Sequence, residues 1–252
     1  MRSTLFFIII LLIICGSCRK SSMKDYSLSQ EEYQKMGIPD HNRVWTFNDY
    51  SKTFGALSKL KFNKPFALPA KDSKRSGELF NRMISFENMS LLQDESIPLN
   101  EKAHWMKGFL EVHGQLLDIY TNIRMEKLFY NRELIDINIF GLGVAERMFD
   151  LAKEINESKD SKDINMQSGY QSIQMIYIAG LKDILENQKY TSQYLNEDLE
   201  KLTDSLTNSV LRNRDWMDSS ATINIKQALQ VVMDSTSSEY IKNRYSTLNE
   251  LL

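Results

Sequence analysis

The chain is expected to be all-α, a multi-helix bundle of roughly eight or nine helices, and three features of the sequence point there. Apolar residues recur at steps of three and four, as in Phe47, Tyr50, Phe54, Leu57 and Leu60, which gathers them on one helix face. Helix-start patterns precede such runs, with a hydroxyl residue followed three positions later by an acid at Ser29-Gln30-Glu31-Glu32 and Thr46-Phe47-Asn48-Asp49. The alternating strands and turn clusters of a sheet protein are lacking, and no helical-repeat signature recurs at about 34 residues.

Taken in order, residues 19–28 are polar, rich in Ser and Lys, and read as a flexible tether. A short helix starts at Ser29 and is closed by Gly37 and Pro39. The second begins at Thr46 and gives way to an apolar loop, Lys61 to Lys71, which carries Pro65 and Pro69 and is expected to lie against a core. A helix over Ser76 to Gln93 follows, broken by Asp94 to Pro98, and Asn100 is the natural cap of the next. That long helix shows Met106, Phe109, His113, Leu116 and Tyr120 on one face, with a turn expected near Asn131. From Leu134 to Met148 apolar residues spread around the whole helix, the pattern of a central element. The polar run 156–165 is the clearest linker, where two helical subdomains would join. Further helices are expected at Met166 to Asn187, Asn196 to Met217, Thr222 to Asp234 and Ser238 to Leu252. The cleanest stripe among these is Leu195, Leu199, Leu202, Leu206 and Val210.

The first residues set the expected address. Arg2 precedes an unbroken apolar run from Leu5 to Ile14, too short for the roughly 20 residues of a spanning helix. A basic start, a run of this length and small residues after it describe an export signal. Cys15-Gly16-Ser17-Cys18 then resembles the lipobox of bacterial lipoproteins, with Cys15 in place of the leucine usual in many. The resemblance covers only this segment. It implies cleavage of residues 1–17 and lipidation of Cys18, so that residues 18–28 form a lipid-anchored tether and 29–252 the helical domain. Arg19, where the inner-membrane sorting signal would have Asp, implies the outer membrane by the same resemblance, and Arg19, Lys20 and Lys24 stand where they could meet anionic headgroups.

Both cysteines lie in this segment, so the helical body has no disulfide and must be held by core burial, which its length allows. The 31 basic and 33 acidic side chains are interleaved. Nucleic-acid binding would need a basic patch, and none is seen.

Few residues suggest chemistry. Glu101 and His104, three apart on a helix, form half of a carboxylate-bridged di-iron motif, yet neither His41 nor His113 has a Glu three positions before it. They are weak metal candidates, and no cofactor is expected. His113 lies on the apolar face and reads as a hydrogen-bonded core residue. Gly141-Leu142-Gly143 superficially resembles a dinucleotide turn, but Glu146 occupies the third glycine position, and close helix packing at the two glycines is the better reading. Asp183 with Glu186 reads as a solvated pair. Serine-hydrolase, phosphate-loop and zinc-protease motifs are lacking, and no residue is named as catalytic. Trp45, Trp105 and Trp216 could anchor a partner or complete a core.

The expectation is therefore a lipid-anchored helical protein of the bacterial envelope, acting as a protein-interaction or scaffold module. A toxin-neutralising immunity lipoprotein is a narrower form of it. The alternative is a small-ligand binder or enzyme with its site between helices.

Overall fold

The computed structural model describes residues 25–121, 130–157, 172, 175–182, 184–185 and 196–252. Within them the chain forms nine α-helices and no strand. These are α1 (Gln30–Lys35), α2 (Phe47–Asn63), α3 (Gly77–Met83), α4 (Leu99–Thr121), α5 (Asn131–Glu157), α6 (helical residues 175–182 and 184–185), α7 (Asn196–Asn213), α8 (Ser219–Ser235) and α9 (Glu239–Leu251). The all-α expectation holds. Residues 1–24, with Cys18, lie outside the described residues, as do 158–165 of the expected linker, Leu195, Asp183 and Glu186.

The caps explain where most helices begin. Ser29 and Thr46 each complete a capping box, with the Glu32 and Asp49 carboxylates accepting from the cap N–H, and Ser238 and Asp218 cap α9 and α8 through their side chains. Asp49 is also gripped by Arg43 at 2.7 and 2.8 Å, and that guanidinium holds its carboxyl far below the ordinary range. The chain turns after α1 at Gly37, in the left-handed region at φ +87°.

Three expected boundaries are corrected. The single helix over Ser76 to Gln93 is two pieces, α3 and a 3₁₀ helix over Phe86–Gln93. The break comes at Ile84 and Ser85, where the Ser85 hydroxyl accepts from the Glu87 N–H. Side-chain bonds hold the second piece at this angle: Asn88 accepts from the Trp45 N–H at 2.9 Å and donates to the Tyr50 hydroxyl at 2.7 Å and the Arg82 carbonyl at 2.8 Å. Asn100 does not cap α4, which starts one residue earlier; the Pro98 carbonyl accepts from Glu101 and Lys102. The helix expected to reach Met217 ends at Asn213, and a 3₁₀ turn over Arg214–Trp216 follows.

Asn88→Ala should lower stability by about 2 kcal/mol, since it strands buried partners on three sides of one turn. Urea denaturation of the two proteins would measure it.

α4 and α5 form an antiparallel hairpin, with Tyr120 stacked edge-on to Tyr130 near its closed end and Lys102 and Met106 opposite Leu151 at the other. They are two helices, not one rod. Two hydrophobic cores meet on α5. Leu134, Ile137, Phe140, Val144 and Leu151 enter the core built by α1 to α4, whereas Ile135 and Leu142 enter the one built by α6 to α9. The all-round apolar pattern of this stretch is thus explained by its position between two layers.

The proline loop does lie on the first core. Leu68 is fully buried, and three tyrosine hydroxyls satisfy the loop's carbonyls: Tyr33 donates to Ala67 and Tyr120 to Pro69, both at 2.8 Å, and Tyr130 to Pro65 at 3.0 Å. Burial pushes all three phenols well above their ordinary pKa, so they remain donors. Phe62, grouped with the loop by sequence, instead ends α2 and is 81% exposed.

A seam of ion pairs ties the two layers. Asp136 on α5 receives Lys71 Nζ from the loop at 2.6 Å and Lys201 Nζ from α7 at 2.8 Å. One turn earlier Arg132 bonds Asp198 of α7 at 2.8 Å and also Asp72. Glu133 accepts from the Lys71 N–H at 2.7 Å, and burial pushes its carboxyl upward.

Gly141 and Gly143 serve close packing on α5. A Cβ at Gly141 would come within 2.3 Å of His113 Nε2, and one at Gly143 within 2.3 Å of the Phe86 ring. Both glycines are helical, which removes the strand that a dinucleotide turn requires.

Candidate partner-binding groove

α2 and α4 cross over Phe109, whose ring lies 4.9 Å from Phe47 and 6.3 Å from Tyr50. Gly108 makes the contact with Phe47 close, for a Cβ there would lie 2.7 Å from that ring. Above this crossing the helices part, leaving an open groove of about 600 Å³. Its floor is aromatic and aliphatic, from Tyr50, Phe54 and Val112. One wall is the face of α2 carrying Ser51, Gly55 and Ser58, which recur at helical steps of four and three. The other comes from α4, with His104, Trp105, Lys107 and Glu111. Phe47 stands at the edge and keeps 38% of its surface exposed.

The groove is open at Gly55, where a Cβ would meet no atom within 4 Å. Gly55→Ala should therefore stabilise the fold by about 0.5–1 kcal/mol, the helical difference between the two residues. Thermal denaturation would show a raised midpoint.

The residues singled out by sequence fare differently here. His104 lines the groove, while Glu101 does not, and both are exposed. Among the described residues no group of three or more His, Cys, Asp or Glu is placed to hold a metal ion. Trp45 is core, 2% exposed, with its indole N–H donating to the Asp40 carbonyl at 2.8 Å. Trp105 is partly exposed in the groove wall, in a position to anchor a partner, and the Trp216 side chain lies outside the described residues. His113 is partly buried beneath α5, and burial pushes its imidazole down to about 4. Its Nε2 finds no hydrogen-bond partner among the described residues, which corrects the expectation of a hydrogen-bonded core histidine.

Sequence reasoning missed Ser51, Gly55 and Ser58. The available signal was their recurrence on the helix face beside the Tyr50, Phe54 and Leu57 stripe, although small polar residues on a helix ordinarily mean only a solvated surface. No described helix is long and apolar enough to cross a membrane.

Fold and groove together define the class, a two-core all-α protein with a cleft between surface helices. Comparison with known proteins takes this no further: no family model, no curated protein and no solved structure matches the chain.

Proposed function

We propose that the protein is a lipid-anchored module of the bacterial envelope, held to the membrane through Cys18, that receives a helix of a protein partner in the α2/α4 groove. The observation that carries the reading is the groove itself, apolar along its floor, small along one wall and flanked by Trp105 and the exposed Phe47. From Phe47 to Ser58 the α2 wall runs for about three turns, roughly 17 Å. An amphipathic helix of a partner presents anchors over such a length, and small wall residues let its backbone approach. Lys107 and Glu111 beside the floor give the polar face of that helix charges of both signs to meet. The anchor rests on the lipobox-like Cys15-Gly16-Ser17-Cys18 after an apolar run, and the tether between anchor and domain is shorter than the expected 18–28, because Ser27 is buried and Asp25, Ser27 and Leu28 are held on the first core. The location proposed is the outer membrane. The immunity form of this reading differs only in making the partner an incoming toxin.

The test is cross-linking in cells of a carboxy-terminally tagged chain, followed by mass spectrometry of the captured proteins and of the chain's own amino terminus. An acylated Cys18 at the mature terminus is expected, with one abundant envelope protein whose capture falls in Cys18→Ala. An unacylated terminus would overturn the anchor, and no reproducible envelope protein would overturn the interaction.

A further inference from the structure

A second cleft, of about 430 Å³, opens on the other side of α4, between its first turns, the end of the Phe86–Gln93 helix and α5. Its floor is the edge of the first core, with Leu92, Met106 and Leu151. Lys102 lines it and is only 9% exposed, yet it makes no hydrogen bond or ion pair with any described residue. A lysine this enclosed is ordinarily paired. The Ser96 hydroxyl and N–H, at 2.6 and 2.9 Å, and with them the Lys102 charge, hold the Asp94 carboxyl below the ordinary range, but it forms no ion pair with the ammonium. Arg147 contributes a second cation to the lining. Its guanidinium lies over the Phe86 ring at 5.5 Å and has no carboxylate partner among the described residues. Of the acids in the lining, Asp150 is held by Arg212 at 2.5 Å.

The geometry points to a binding site for a small organic monocarboxylate, its two oxygens held between Lys102 and Arg147 and its short apolar body on Leu92, Met106 and Leu151. Glu95, Asp150 and Glu154 at the rim set the charge of the ligand: they repel a phosphate dianion more than a monoanion. The apolar floor is small, so it suits a short chain and not a lipid tail. This site is separate from the α2/α4 groove and shares none of its lining residues.

Hexanoate, hexylamine, hexanol and inorganic phosphate, titrated calorimetrically into the purified full-length chain, are the probes. Hexanoate should bind with a dissociation constant of about 1 mM, as its size allows, and the other three at least about tenfold more weakly. Lys102→Met, close in volume and uncharged, should abolish hexanoate binding while its own melting temperature stays level, because the ammonium it removes makes no hydrogen bond or ion pair in the fold and the buried stem is kept. Arg147→Gln should weaken binding without abolishing it. Hexanoate binding that survives Lys102→Met, binding of hexylamine or phosphate as tight as hexanoate, or no hexanoate binding at all would each overturn the assignment. Melting temperatures of both variants, read in parallel, separate loss of the site from loss of the fold.

Discussion

Phe140→Ala should cost about 3–5 kcal/mol, the range for truncating a fully buried aromatic. Phe140 is 1% exposed and packs 5.5 Å from the Phe86 ring, so its removal leaves a void at the joint between α5 and the short helix beside it. The loss does not stay in one layer. Ile135 and Leu142 on the opposite side of α5 belong to the second core, so a loosened α5 weakens both. Calorimetry should show one transition moved to lower temperature. Two separated transitions, with only one displaced, would mean that α5 does not couple the layers.

The second large effect is on pH. His113 has an ordinary pKa of 6.5 and is pushed down to about 4 in the folded protein by burial. The unfolded chain therefore binds a proton at pH values where the folded one does not. The contribution is complete above pH 6.5 and is lost as pH falls from there towards 4, at about 1.4 kcal/mol per pH unit and roughly 3 kcal/mol in all. Glu133, whose carboxyl is raised by burial, works in the opposite sense. Comparing the native protein with His113→Gln at each pH removes that term. The difference in stability between the two should shift by roughly 3 kcal/mol between pH 7 and pH 4. Parallel pH curves would show that the imidazole protonates freely in the fold.

Local signals were the legible part of this fold. Ser29, Thr46 and Ser238 sit where their side chains cap helices, and of the residues that spacing selects after Thr46, Tyr50, Phe54, Leu57 and Leu60 are buried while Phe47 stays exposed at the groove edge. The central place of α5 was legible too, because Ile135 and Ile137 fall on different faces and both are buried. What failed depended on distant partners. The break at Ser85 is held by Asn88 bonding Trp45 and Tyr50, residues about forty positions away, which no local window contains. Asp136 was unremarkable in sequence, and its role comes from Lys71 and Lys201 arriving from either side. The α2/α4 groove is likewise a product of two helices parting, and the helical recurrence of its small wall residues is one that any solvated helix face can show. Lys102 was invisible for the opposite reason: its position in the α4 pattern gives no sign that its neighbours leave it unpaired.

The most direct measurement is photo-cross-linking in cells from an unnatural residue placed at Ser51 in the groove, beside the same residue at Gln227, exposed on α8. A single partner should be captured from Ser51 and not from Gln227, and Gly55→Arg, which places a long side chain where the helix has open space, should abolish the capture while the protein still folds. Equal capture from both positions, or capture from Ser51 that survives Gly55→Arg, would contradict the groove as the partner's seat.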